Sequence, residues 1–375
     1  LLIFTSCERE NSGRTESYVY YTLDEVNTII EDAHTANPSI TSIEQVGTSV
    51  NGRPINALVI SNNPSSLEME PRVRISGGIH GNEKVTTEVI TRYIDYLLSE
   101  YINNNTEITD LINSHYIVII PVLNPDGYFN GTRYNSNGVD LNRNFSRAWS
   151  DESLSYGTTY FSEPESYALS QYSLAKRFTT GITLHSGEVI VNMPFDYTTT
   201  LPLEDELVQD FGFAYSRSGT FLSNPDMLNT LHVIDGTIFG ALWYYAYGTL
   251  QDWSYLDAGC LDFTVEIADS KYPVYPEEIE ETYNYNRDSL TAFIKKSGYG
   301  VYGRVTDGTN GIAGVKITIP GGDLVIYTDA NGYYHRLLLP GSYSLTFDNS
   351  GITKTENVTV YDSDSGTNLP DVVFN

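Results

Sequence analysis

Apolar and polar positions fall into two textures along the chain. Up to about residue 297, short apolar runs alternate with stretches of helical spacing; beyond it the helical period disappears. In the first texture, Thr22-Leu23-Asp24-Glu25 reads as a capping box opening a helix that ends before Pro38. Strand-like runs follow at Ile43–Val46, Ala57–Ser61 and Val73–Ile79, the last interrupted only by Arg74, Ser76 and glycines. Val89, Ile90, Tyr93, Ile94 and Leu97 then repeat at helical spacing within Thr86–Tyr101. Tyr116–Pro121 is another buried strand, and Glu163-Pro164-Glu165 opens a helix. Gly181–Leu184 is a short strand, Leu203–Tyr215 is helical, Cys260–Ile267 is a strand and Pro276–Lys296 a long helix. Strands alternating with helices predict an α/β fold, a mixed twisted sheet with helices on both faces.

The second texture consists of short alternating runs at Val301–Thr306, Val315–Ile319, Leu324–Thr328, Tyr333–Leu338, Tyr343–Phe347, Asn357–Tyr361 and Leu369–Phe374. Turn residues separate them, among them Gly321-Gly322, Asn331-Gly332 and Pro340-Gly341. Such strands in so short a length predict a small all-β sandwich. The expected organisation is a tether over 1–16, an α/β domain over 17–297 and the sandwich over 298–375.

Composition narrows the classes. The 375 residues carry 21 Lys plus Arg against 48 Asp plus Glu, a formal charge of −27. That field disfavours nucleic acid and favours cationic ligands, and it also serves solubility. No apolar run is long enough to cross a bilayer. Two cysteines, Cys7 and Cys260, exclude a disulfide scaffold. Cys260 sits in an apolar strand and reads as core. Cys7 closes the run Leu1-Leu2-Ile3-Phe4-Thr5-Ser6, which is similar to the end of a bacterial lipoprotein signal. The expectation is an extracytoplasmic protein, held to a membrane only through a lipid on Cys7. No oligomer is predicted.

Candidate chemistry clusters after strands. His80 and Glu83 lie on the turn between a buried strand and a helix, where the scaffold holds a loop rigidly. An imidazole and a carboxylate three residues apart suit one shared metal ion. A long loop, Asn124–Tyr160, carries Arg133 and Asp140-Leu141-Asn142-Arg143, and an Asn-Arg pair offers an amide and a guanidinium fork to a carboxylate. His185 ends a strand, and Glu266 stands on an apolar strand, where a carboxylate is costly unless it belongs to a site. Together these make a hydrolytic device: two His and one Glu for Zn²⁺, a second carboxylate for a water's proton, and two Arg for developing and existing negative charge.

Several longer motifs, in the same order, resemble the zinc metallocarboxypeptidases of the regulatory subfamily that includes carboxypeptidases N, E, D and M. They are Gly78-Ile79-His80-Gly81-Asn82-Glu83, Leu123-Asn124-Pro125-Asp126-Gly127, Asp140-Leu141-Asn142-Arg143-Asn144-Phe145 and Gln251-Asp252-Trp253-Ser254-Tyr255. The likeness runs from about Tyr18 to Lys296, and Thr328-Asp329-Ala330-Asn331-Gly332-Tyr333 is similar to that subfamily's transthyretin-like domain. The resemblance implies a carboxypeptidase-like sheet and one zinc per chain on His80, Glu83 and His185. It implies Glu266 as general base and proton donor, and Arg133 polarising the scissile carbonyl. Asn142 and Arg143 would grip the substrate's terminal carboxylate, Tyr244 would close over it, and Asp140 would orient His80.

For specificity, the resemblance implies that Asp196 faces a basic C-terminal side chain, with Gln251 at the pocket base. The expected substrates are peptide or protein C-termini ending in Lys or Arg. Two alternatives stay open: the same chemistry on aliphatic or cell-wall peptide termini, and a catalytically silent surface binding protein. Ser186-Gly187 stands where the subfamily has Gly-Gly, and Tyr247 replaces a small residue; both bear on pocket shape rather than on the metal.

Overall fold

The computed structural model describes residues 20–363 and 365–374, so the expectation for Cys7 lies outside the described residues. The capping box forms: Thr22 accepts from Glu25 N–H, the Glu25 side chain returns to Thr22 N–H, and the helix runs Leu23–Ala36. Eight strands make one sheet: β1 (Thr41–Thr48), β2 (Pro54–Ile60), β3 (Arg72–Ser76), β4 (Tyr116–Ile120), β5 (Thr180–His185), β6 (Glu188–Met193), β7 (Thr237–Phe239) and β8 (Leu261–Ala268). Their order is β1-β2-β4-β3-β5-β8-β6-β7. The centre, β4-β3-β5-β8, is parallel; β2 and β6 run antiparallel to their inner neighbours. This is the predicted mixed sheet, although β6, β7 and the helix Thr106–Ser114 go beyond the elements predicted from the pattern.

Strand parity divides the core in two. Leu58, Ile60, Val73, Ile75, Ile117 and Ile119 pack with residues of the helices Leu23–Ala36, Val85–Ile102, Asp205–Ser216 and Glu277–Lys296. Their alternates Ala57, Val59, Val118 and Ile120 join Leu169, Phe145 and Trp253 on the opposite face. The central strands are buried on both faces, so they read as near-continuous apolar runs.

One charge pair breaks that rule in a controlled way. Arg74, Gly181 and Asp262 stand in register on β3, β5 and β8. The Arg74 guanidinium reaches across the middle strand to the Asp262 carboxylate, and both side chains are buried. Gly181 permits this, because a Cβ there would lie 2.7 Å from Asp262 Oδ1 and 3.1 Å from Arg74 Nη2.

The C-terminal residues form the predicted sandwich. Lys316–Thr318, Ile326–Tyr327, Gly341–Asn349 and Ile352–Val360 build one sheet; Val301–Thr306, Tyr333–Arg336, Thr367–Asn368 and Val372–Val373 build the other. It docks through ion pairs with little exposure. Arg72 Nη2 meets Asp329 Oδ2 at 2.5 Å, and Arg336 Nη2 meets Glu204 Oε1 at 2.6 Å. Tyr255 donates its hydroxyl to Asp323 at 2.6 Å.

Removing one partner of a buried pair leaves an uncompensated charge. Asp262→Ala should therefore destabilise the chain by about 3–5 kcal/mol, and Gly181→Ala by about 1–3 kcal/mol through overpacking. Denaturant midpoints of the two variants check this; a wild-type midpoint for Asp262→Ala would contradict it.

Candidate active site

The site lies where β3, β5 and β8 end side by side, the edge at which parallel strands deliver their loops. His80 and Glu83 occupy the turn between β3 and the helix Val85–Ile102. That turn packs tightly on the start of the helix Pro125–Asn130: a Cβ on Gly81 would fall 2.0 Å from the Gly127 carbonyl carbon. Asn124 caps this helix by accepting from Gly127 N–H (2.9 Å), and its amide donates to Ile79 O (3.3 Å) and Arg133 O (3.4 Å). One side chain thus ties the His80 turn to the Arg133 segment. The stretch expected as a plain loop over 124–160 is instead built of this helix and short turns.

Donor atoms of His80, Glu83 and His185 all lie within 4.8 Å of one another, and all three residues are buried. His80 Nδ1 is 3.1 Å from Glu83 Oε1 and 3.2 Å from His185 Nδ1, and His185 Nδ1 is 3.2 Å from Glu83 Oε2. On its other edge His80 Nε2 sits 3.1 Å from Asp140 Oδ1. An N–H donated to that carboxylate leaves the Nδ1 lone pair facing the cluster. Two imidazole nitrogens and one carboxylate, converging in a buried cluster, fit zinc. Burial lowers His185 to about 4, which keeps it a neutral ligand. Burial alone would raise Glu83, but the charge of a protonated His80, and then hydrogen bonds from His185 and His80, outweigh it and hold the carboxyl well below its ordinary range.

Around the trio lies a cleft of about 270 Å³. Arg133, Asn142, Arg143, Asp196, Tyr244 and Glu266 line it, as do Glu188, Asn192, Trp243, Thr264 and Lys271. Arg133 Nε donates to Asp140 Oδ2 at 2.9 Å, and its Nη1 is 3.2 Å from His80 Nδ1. Glu266 pairs with His185 in the β5–β8 register. Its burial, and next the charge of Glu83, push its carboxyl well above the usual range; Lys271 and Arg133 pull it back. Asn142 Oδ1 accepts Leu250 N–H at 3.0 Å. Asp196 is only 4% exposed and accepts from Asn192 Nδ2 at 2.9 Å. Its backbone N–H is held by both carboxylate oxygens of Asp252, at 3.0 Å each. Gly240 leaves room for the Asp196 carboxylate, since a Cβ there would lie 2.0 Å from Oδ1.

Two placements differ from what the sequence suggests. Gln251 is buried with its Oε1 bound by Thr264 N–H (2.7 Å), and it does not line the cleft. Lys271 does line it, with Nζ 3.0 Å from Glu83 Oε1. A cation just past the end of β8 was the only sequence signal for it. Thr264 was more legible, because it alternates with Glu266 on one strand face.

Comparison with known proteins agrees with this geometry. The zinc carboxypeptidase family profile matches residues 26–289, and a carboxypeptidase regulatory-like domain matches residues 300–374. The chain is similar to the carboxypeptidase N catalytic chain of Rattus norvegicus, 31% identical over 386 residues, covering 92% of this chain and 84% of that one. It is 35% identical over 348 residues to carboxypeptidase D of Anas platyrhynchos, covering 86% of this chain but only 24% of that protein's length. The crystal structure of the carboxypeptidase A from Helicoverpa armigera shares the fold, with TM-score 0.65 at 23% identity, covering 74% of this chain and 73% of that one. Fold and site define a metallocarboxypeptidase architecture. The chain belongs to the zinc carboxypeptidase family, and His80, Glu83 and His185 are its zinc site.

If the Asp140 carboxylate fixes the His80 tautomer, Asp140→Asn should weaken zinc affinity about 10- to 100-fold. Competition against a chromogenic chelator measures this, and unchanged affinity would remove that role.

Proposed function

We propose that this chain hydrolyses the last peptide bond of peptides and proteins and prefers Lys or Arg at their C-terminus. The observation that carries the preference is Asp196, a buried carboxylate facing the cleft that is bonded by the Asn192 amide and the Thr249 hydroxyl but has no ion-pair partner among the described residues. Burial raises its proton affinity, and hydrogen bonds from Asn192 and Thr249, then the charge of Arg143, relieve this only in part. A lysine or arginine side chain entering the cleft would supply the missing counter-charge.

Zinc, when bound, supplies Lewis acidity and acidifies water. In this reading Glu266 is the general base. Its unpartnered Oε2 takes a proton from the attacking water and returns it to the leaving nitrogen as the C–N bond breaks. Arg133 donates to the oxygen on which charge develops. Asn142 and Arg143 hold the terminal carboxylate, and Tyr244, 45% exposed at the cleft wall, closes over it. A terminal carboxylate bound at a closed end is what makes the reaction an exopeptidase one.

Chelation should abolish hydrolysis of peptides ending in Arg, Lys or Leu, and zinc should restore it. Glu266→Gln should lower kcat about 10²- to 10⁴-fold while zinc content stays that of the wild type. Asp196→Ala should collapse the ratio of kcat/KM for Arg against Leu termini. A ratio left intact by that substitution would refute the assignment of the pocket, though not of the chemistry.

A further inference from the structure

One helical stretch serves both the pocket of Asp196 and the second domain. It runs Leu250–Trp253 and continues as a π-helical turn over Ser254–Ala258. Two of its residues, three apart, hold the pocket segment. The Asp252 carboxylate accepts the Asp196 N–H at 3.0 Å on each oxygen and the Tyr197 N–H at 3.2 Å on one. The Tyr255 ring meets the Phe195 ring edge to face, with centroids 5.4 Å apart at 84°. Asp196 therefore has its backbone held by one residue of the stretch, while the ring of its chain neighbour is braced by another.

The same stretch bears on the sandwich. Tyr255 is fully buried, and its hydroxyl donates to Asp323 Oδ1 at 2.6 Å, a short bond to a carboxylate. The other oxygen of Asp323 accepts Leu203 N–H at 2.8 Å, so that carboxylate is fixed from two sides. Burial, and next the charges of Glu204 and Asp323, raise the Tyr255 phenol well above its ordinary range, which keeps it a donor. Gly259 closes the stretch against sandwich backbone: a Cβ there would lie 2.4 Å from Val325 O. Packing this close transmits a displacement rather than absorbing it.

We propose that Asp323 is a positioning residue for the pocket: acting through Tyr255, it sets where Asp196 stands, so that the second domain takes part in the choice of C-terminal residue. The inference rests on the role of Asp196 given under Proposed function. The path is short, from Asp323 to the Tyr255 hydroxyl, and from the Tyr255 stretch to Phe195 and Asp196. A carboxylate selects a cation by meeting its donors at hydrogen-bond distance, and a misplacement of about 1 Å can cost up to about 10²-fold. A Leu side chain makes no directed bond and tolerates the same shift better.

The test is the ratio of kcat/KM for peptides ending in Arg against Leu, measured on the zinc-loaded full chain. Tyr255→Phe removes the hydroxyl and keeps the ring on Phe195; Asp323→Ala removes the acceptor. Each should lower the ratio roughly 5- to 50-fold, mainly through a higher KM for Arg termini. The double variant should be no worse than the more severe single one, since both cut the same link. Asp329→Asn, which weakens the separate docking contact to Arg72, should leave the ratio within about twofold. Parallel losses on both peptides, or an equal fall in the ratio for Asp329→Asn, would mark a merely structural role and overturn the proposal. If Asp323→Ala does not fold, Tyr255→Phe decides the matter by itself. A ratio that Asp196→Ala collapses but Tyr255→Phe leaves intact overturns this inference alone; a wild-type ratio near one overturns the reading of the pocket with it.

Discussion

Everything in the site depends on a carboxylate kept out of water. Glu83 is 2% exposed and is surrounded by two imidazoles, the Ser186 N–H, the Lys271 ammonium and the Arg133 guanidinium. Burying that anion is tolerable only because so many donors meet it. The same enclosure makes the donors useful. In a water-poor recess the attraction between Glu83, the imidazoles and a divalent cation is strong, and a nearby carboxyl such as Glu266 gains proton affinity.

Such an arrangement needs a rigid frame, and β3 shows how one is made. The strand that ends in the His80 turn carries Arg72 and Arg74 on one face. Arg74 is anchored across β5 to Asp262 on β8, the strand of Glu266. Arg72 is anchored to Asp329 in the sandwich, and its Nη1 also donates to Lys176 O at 2.8 Å. The launching strand is thus pinned both within the sheet and from the second domain. None of the described residues of the sandwich lines the cleft, yet its docking bears on the strand that aims a zinc ligand.

Sheet direction shapes the cleft. The parallel strands β3, β5 and β8 bring His80, His185 and Glu266 to a common edge. β6 begins just beyond that edge and runs back beneath it, so its far end and the Asp196 turn lie deeper than the catalytic groups.

The sequence by itself determined the chemistry and most of the elements. His80, Glu83, His185 and Glu266 were legible because each sits at a strand end or on an apolar strand, where a polar group needs a reason. The helix over 23–36 was legible because capping is local. Tertiary structure alone decided which strands neighbour one another, and with that the Arg74–Gly181–Asp262 row, the engagement of Gln251 with Thr264 and the arrival of Lys271 and Glu188 at the cleft. The period of a strand tells which face a residue takes. Register across strands tells what it meets there, and register is set by packing between residues far apart in the chain.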